Sequence, residues 1–305
     1  MTKAPKDLAA SVRARLLRLA NDRGEDFQLV LTRYANERLL HRLAASPYGA
    51  QFVLKGAALF TIWTGRAHRA TRDLDLLGFG DGSEARLRRV FEEVLRLDVP
   101  DDGVTFDIGS LDVGPIREDQ EYGGVRIVLV AKIVNAKVRL QVDVGLGDAV
   151  TPAPEVVDFP PLLDFPAPRL RAYPRETVVA EKLEAMVKLG MANSRMKDFF
   201  DIVVLSQMFG FDGDVLIRAI RATFERRGTA VPADLPRALT SEFANDEMKR
   251  REWSAFLRKA DARVELGDLA AVVASIVRFL REPLQRVVLG AWEATWTPGG
   301  SWTER

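Results

Sequence analysis

The chain contains no cysteine. Disulfides, thiol nucleophiles and thiolate metal sites are excluded, and the composition suits a reducing cytosol, so a cytoplasmic location is expected. Histidine is nearly as scarce. His41 and His68 are the only two, too few for a histidine-built metal centre, and a Ser-His-Asp triad would have to rest on one of them. No apolar run approaches the roughly 20 residues that cross a bilayer, and residues 1–17 lack the apolar core of a signal peptide, so no membrane partner is expected. Neither sign of charge is in excess. With 44 Lys and Arg against 43 Asp and Glu the formal net charge is +1, and any grip on nucleic acid has to come from a local patch. What remains is a globular composition, 305 residues, 47% hydrophobic and 29% charged, long enough for two modest domains or one large one.

The chain is organised around residues 52–79, FVLKGAALFTIWTGRAHRATRDLDLLGF. The apolar run Phe52-Val53-Leu54 predicts a strand that stops at Lys55-Gly56-Ala57, where small residues allow a tight turn and a close approach to a ligand. Leu59, Phe60, Ile62 and Trp63 then give an apolar face at helical spacing, ended by Gly65. A basic loop follows, with Arg66, His68, Arg69 and Arg72, and the chain re-enters an apolar run as Asp73-Leu74-Asp75-Leu76-Leu77. Residues two apart on a strand share a face, so Asp73 and Asp75 present two carboxylates side by side while Leu74 and Leu76 face the core. Two like charges that close repel, and a divalent cation removes the difficulty. Mg²⁺ is commonly held by one or two carboxylates together with substrate phosphates. The plain alternative is a polar edge strand whose acids pair with the nearby arginines.

Lys55-Gly56-Ala57, Gly65-Arg66 and Arg69-x-Thr71-x-Asp73-Leu74-Asp75-Leu76 together resemble the first motif of the AbiEii/AbiGii toxin family. These are nucleotidyltransferase-like proteins of toxin–antitoxin and phage-abortive systems. The family pattern reads KGG, GR and R-x-S-x-D-I-D-L; here Ala57 replaces the second glycine and Thr71 the serine, both small or hydroxyl-keeping changes. The resemblance extends from residue 52 to residue 205. Glu181-Lys182-Leu183-Glu184-Ala185 resembles the family's E-K-x-x-A segment, and Arg195-Met196-Lys197-Asp198-Phe199-Phe200-Asp201-Ile202 resembles R-x-K-D-x-x-D-I. Carried over residue by residue, the resemblance implies catalytic roles for Asp73, Asp75, Lys182 and Asp198. It implies NTP contacts from Lys55, Gly56, Ala57, Arg66, Arg69 and Thr71, with Mg²⁺ as cofactor and NTP as substrate. Without the family, Lys182 reads as a surface helix lysine paired with Glu181 or Glu184. Asp201 is a candidate for orienting Lys182 or Arg195, and Asn193-Ser194 for capping the helix and leaving both acids structural.

The resemblance implies an α+β fold, a polymerase-beta-type mixed sheet with flanking helices over residues 1–165. A helical domain over 166–305 follows and contributes Lys182 and Asp198 to the site. Helices are predicted over 7–21, 26–45 and 84–97, the last capped by Ser83, and strands over 105–111, 125–134 and 137–145. Minimal nucleotidyltransferase folds bring a third carboxylate from a neighbouring strand. Asp143, in the apolar segment VRLQVDVGLGD, is the candidate third metal ligand, with an outward solvated acid as the alternative. Residues 151–174 carry seven prolines and predict a connector with little regular structure. Beyond it the pattern is helical, over 214–227, 241–261 and 266–281, with no further strand expected.

Arg226-Arg227 and Lys249-Arg250-Arg251, with Trp253 beside the second, are candidates for gripping an RNA backbone and stacking on a base; a charged solvated face is the alternative. The arginines at 86, 88 and 89 carry the same two readings. Three tryptophans in residues 291–305 point to docking on the protein's own core or on a partner. The expected activity is that of a toxin transferring a nucleoside monophosphate from an NTP to RNA. By family resemblance the acceptor is the tRNA 3′ end and a cognate antitoxin is the partner. Transfer to a protein hydroxyl and a non-catalytic binding module are the rival readings. A phosphoryl group on Thr71 would bring negative charge beside Asp73 and Asp75 and is expected to switch the enzyme off.

Overall fold

Alternation of apolar and polar residues builds the sheet that carries the first motif. The structure, a computed structural model, describes residues 7–65, 68–116, 123–260 and 266–304. The chain divides into two units, one of Met1–Gly147 with Glu155–Ala172 and one of Asp148–Pro154 with Tyr173–Arg305. In chain order the first unit runs α1 (Leu8–Arg23), α2 (Phe27–Ala45), β1 (Phe52–Lys55), α3 (Leu59–Thr64), β2 (Asp73–Gly78), α4 (Glu84–Leu95), β3 (Thr105–Pro115), β4 (Gly124–Ile133), β5 (Ala136–Leu146), β6 (Glu155–Asp158) and β7 (Arg169–Ala172). These strands form one seven-stranded mixed sheet in the order β3-β4-β5-β2-β1-β7-β6. β2 pairs antiparallel with β1 and parallel with β5. Leu74, Leu76, Ile127, Leu129, Val142 and Val144 are buried on the face that the helices cover.

The helices start and stop where local chemistry satisfies their open backbone groups. Asp7, Asp26 and Ser83 accept from the amides of Ala10, Leu29 and Arg86 at the starts of α1, α2 and α4, and Gly24, at φ 61°, ends α1. In α4 the residues Leu87, Val90, Phe91 and Val94 are buried at helical spacing. The arginines of this helix act locally: Arg86 bonds Asp81 O and Gln51, and Arg88 bonds Leu111 O.

The proline-dense stretch departs from expectation. Two short strands lie in it, β6 and β7, paired antiparallel, with β7 also parallel to β1. Each has four residues, EVVD and RLRA, too short to show a period, and the prolines flank them without interrupting their ladder. The expected boundary between residues 165 and 166 falls in the loop between these strands. A charged pair from α2 anchors that loop. Glu37 accepts from Leu162 N at 2.7 Å and from Arg38 at 2.6 Å, and Arg38 donates to Pro166 O at 2.9 Å. Both side chains are buried, and the Arg38 guanidinium lies over Tyr34 and Phe165.

The second unit runs α5 (Arg175–Leu189), α6 (Met196–Met208), β8 (Phe211–Asp212), α7 (Gly213–Arg226), α8 (Ser241–Asn245), α9 (Glu247–Ala260), α10 (Leu269–Leu289), β9 (Ala294–Trp296) and β10 (Trp302–Glu304). Against the expectation of an all-helical remainder, β10, β9 and β8 form a small antiparallel sheet. Its strands are two or three residues long, below what a sequence period reveals. The single helix expected over 241–261 is broken at Asp246, whose carboxylate caps α9 by accepting from Lys249 N. α10 continues past the expected end at 281 and contains Pro283. A proline has no N–H to give the carbonyl four residues back, and the Trp302 indole donates to that carbonyl, Phe279 O, at 2.8 Å. Trp296 is buried and donates to Ser206 O at 2.7 Å. The tryptophan-rich tail therefore docks on its own unit.

Burial of Glu37 pushes its carboxyl up from the ordinary value near 4.5 to about 7, against the pull of Arg38 and the Leu162 amide. A carboxyl that binds its proton more tightly folded than unfolded makes stability fall as pH rises from about 4.5 to about 7. Urea denaturation across that window should show this negative slope, and Glu37→Gln should remove its share of it. An unchanged slope in the variant would contradict the assignment.

Candidate active site

In the first unit the two motif carboxylates stand where the strand pattern predicts. Asp73 is exposed and Asp75 half-buried, on the face of β2 opposite Leu74 and Leu76. Strand register extends the arrangement sideways. Lys55 of β1 pairs with Asp75, Asp75 with Asp143 of β5, and Asp143 with Arg126 of β4. Paired residues on adjacent strands share a face, so the sheet presents a row of two neighbouring acids flanked by cations, Lys55, Asp75, Asp143, Arg126. The backbone at Gly56 closes on this row. Gly56 has φ +75°, and a Cβ there would overlap the Asp75 carboxylate, 2.7 Å from its Cγ. Glycine is required both for the left-handed conformation and for that approach. Ala57, the departure from KGG, is buried in the following helical turn.

The donor set fits a hard divalent cation. Asp73 and Asp75 offer oxygen ligands side by side, and Mg²⁺ sites are often no more than that plus phosphate oxygens. Asp143 is not assembled with them into a three-carboxylate cluster; no group of three or more potential ligands is found among the described residues. Arg126 explains why. It takes both Asp143 oxygens, Nε to Oδ1 and Nη2 to Oδ2, each at 2.8 Å, so the strand register delivers Asp143 beside Asp75 but its carboxylate is engaged on the other side. Of the loop residues, Thr71 donates its hydroxyl to Asp73 O at 3.3 Å, directly before β2. Arg66 lies outside the described residues.

In the second unit Lys182 of α5 is not a surface lysine. Its Nζ lies 2.7 Å from Asp198 Oδ1 and 2.8 Å from Asp201 Oδ2, both on α6. Asp198 and Asp201 are three apart and share a helix face, which lets one ammonium bridge them. Arg195 donates Nε to the other Asp198 oxygen at 2.7 Å. Burial works to raise the Asp198 pKa, but the charges of Lys182 and Arg195 and their hydrogen bonds outweigh it and hold the carboxyl below the usual range. The Asp198 side chain is 0% exposed, and its two oxygens are held by Lys182 and Arg195. Asn193 accepts from Arg195 N at 2.8 Å and makes the turn that leads into α6, while no side chain caps the helix itself.

One cluster was invisible in the sequence. Arg227 bonds Glu184 at 2.8 Å and Asp148 at 3.0 Å and lies 3.5 Å from Glu181, partners 43 and 79 positions away for Glu184 and Asp148. Thr229 gives Glu184 a further bond at 2.6 Å. Burial disfavours the Arg227 charge, but these three acids more than offset it and raise its pKa. Arg227 is thus committed to this network instead of facing solvent as an RNA contact would. Trp253 is turned inward too, being 2% exposed with its indole donating to Gly267 O, and Lys249 beside it is buried. Neither can stack on or grip a solvent-side strand.

Residues 38–275 match the family model described as the nucleotidyl transferase AbiEii toxin of type IV toxin–antitoxin systems. Two solved structures are similar to the chain. One is the crystal structure of JHP933 from Helicobacter pylori, at 15% identity and TM-score 0.48, covering 84% of this chain and 94% of that one. The other, from H. pylori, is described as a candidate nucleotidyltransferase, at 15% identity and TM-score 0.48, covering 85% and 98%. No curated protein matches.

Because Lys182 neutralises two buried carboxylates, Lys182→Ala should cost about 3–5 kcal/mol of stability, the usual result of stranding a buried charge. Adding Asp201→Asn should restore part of that loss, since one of the stranded charges is then gone. Chemical denaturation of the single and double variants checks this; strict additivity would show that the pair does not interact.

Proposed function

The chain belongs to the AbiEii family of nucleotidyl transferase toxins of type IV toxin–antitoxin systems, and from that premise we propose that it transfers a nucleoside monophosphate from an NTP to RNA. We take the 3′ end of tRNA as the acceptor, growth arrest as the outcome and a cognate antitoxin as the protein partner. The observation that carries the reading is the carboxylate pair of β2, with the Gly56 backbone drawn up against Asp75.

Asp73 and Asp75 would hold Mg²⁺, with Asp143 the third candidate ligand. Magnesium bound there would neutralise phosphate charge and assist in-line displacement. Lys55, which stands opposite Asp75, with Gly56 and Ala57 is assigned to the triphosphate, as are Arg66, Arg69 and Thr71 of the loop. The acceptor oxygen forms its bond to the α-phosphorus while the bond from that phosphorus to the β-phosphate bridging oxygen breaks, and pyrophosphate leaves. Lys182 is assigned to the charge that builds on the triphosphate. An ammonium held by Asp198 and Asp201 loses little freedom when it acts, which favours the transition state over simple binding.

Asp75→Asn should abolish transfer and toxicity while leaving the fold intact, because an amide is a poor Mg²⁺ ligand and removing one of two repelling charges does not harm stability. Incubation of the purified protein with α-labelled NTP, total RNA and protein lysate, followed by nuclease digestion, measures transfer and identifies the acceptor. Label that survives nuclease on protein would replace RNA as acceptor, and near wild-type labelling by Asp75→Asn would remove the metal assignment. Thr71→Glu, which adds charge beside the pair, should be inactive and non-toxic, whereas Thr71→Ser should retain activity. Growth curves of cells expressing each variant decide that point.

A further inference from the structure

Arg126 lies outside the motifs that resemble the family, yet it is the residue that decides what Asp143 can do. It stands directly across from Asp143 in the β4–β5 register and closes a two-point bond with it, both contacts at 2.8 Å. Asp143 in turn pairs with Asp75 in the β5–β2 register, one strand spacing of about 4.8 Å away. The backbone thus fixes Asp143 between a guanidinium on one side and the carboxylate pair on the other.

We propose that Arg126 is a displaceable counter-ion for the metal site: it occupies Asp143 when no divalent cation is bound, and Asp143 joins Asp73 and Asp75 as a ligand only by exchanging Arg126 for the cation. The inference rests on the metal reading of Asp73 and Asp75 given above. Three observations support it. Both Asp143 oxygens are used by Arg126, so the carboxylate cannot serve both partners in its present geometry. The pair is reached by water, with the Arg126 side chain 35% and that of Asp143 19% exposed, so solvent can take up either group when the other leaves, which a fully buried pair would not allow. Finally, Gln141 offers the guanidinium a second acceptor. Its side-chain amide lies against the pair, and the amide oxygen accepts from Arg126 Nε and Nη2 at 3.2 and 3.3 Å. The guanidinium therefore has a neutral acceptor beside it already and is not left bare as Asp143 leaves.

Manganese binding to the full chain, freed of metal and without nucleotide, tests the exchange by calorimetry and by the Mn²⁺ paramagnetic resonance signal. Arg126→Ala should bind Mn²⁺ about tenfold more tightly than wild type, because affinity follows the number of charged ligands free to coordinate. Arg126→Gln, which keeps much of the side chain, should shift in the same direction and guards against a folding failure of the smaller variant. The gain should vanish when Asp143→Asn is added. A gain of equal size in the double variant would mean that Arg126 acts only as a nearby positive charge, and no gain in either single variant would mean that Asp143 never leaves it; both results overturn the proposal. Asp75→Asn separates the two levels. If it leaves Mn²⁺ binding unchanged, the metal reading itself fails. If it abolishes binding while the Arg126 variants behave as wild type, the reading stands and the exchange alone is wrong.

Discussion

Like charges set side by side on a β-sheet must be neutralised, and that constraint shapes both units. Period-two geometry puts Asp73 and Asp75 on one face, and the parallel pairing of β2 with β5 adds Asp143 at the same level. Uncompensated, acids gathered at one level of one face would repel each other. The sheet answers with cations in the flanking strands at the same register, Lys55 in β1 and Arg126 in β4. The second unit answers with single cations bridging several acids: Lys182 between Asp198 and Asp201, and Arg227 among Asp148, Glu181 and Glu184.

What could be read from the chain followed from interactions that are local in sequence. The order of strand, glycine turn, helix and acidic strand over residues 52–79 is a matter of adjacent residues, and the structure has each element within a residue or two of its expected place. The Ser83 cap is equally local. The elements that escaped notice are held by distant partners. β6 and β7 are strands because β1 and the Glu37–Arg38 pair hold them, and β8, β9 and β10 exist because tryptophans of the tail pack against α10. The helix end expected before Pro283 was a sound local inference that a distant donor, Trp302, overrode.

The same division holds for charged residues. Arg227 and Lys249 looked alike in sequence, as basic residues on helices near the surface, and the basic-aromatic cluster around Trp253 fitted an RNA-binding pattern. Burial separates them from that role, since a guanidinium surrounded by three acids has no net attraction left for phosphate. Basic residues that are legible as a run need not be a surface at all, because partner acids 43 and 79 positions away leave no trace in the run. Lys182 shows the converse. Its neighbours in sequence offered Glu181 and Glu184 as partners, whereas the acids that hold it lie on the next helix, and they fix its position in a way a surface pair would not.

Solvent exposure then divides the charged groups into two kinds with different capacities. Asp198 and Asp201 are essentially closed to water and hold Lys182 through bonds of 2.7 and 2.8 Å; rearranging them would strand a charge in a low dielectric, at a cost of several kcal/mol. That group keeps one geometry, and an ammonium fixed in this way needs no reorganisation when charge develops near it. The sheet face is different. Asp73 is exposed, and Asp143 and Arg126 meet where water can solvate either one if the other leaves. Parting them would not strand a charge in a low dielectric. One chain thus contains charge locked by burial and charge paired within reach of water, and the dielectric around each group determines which it is.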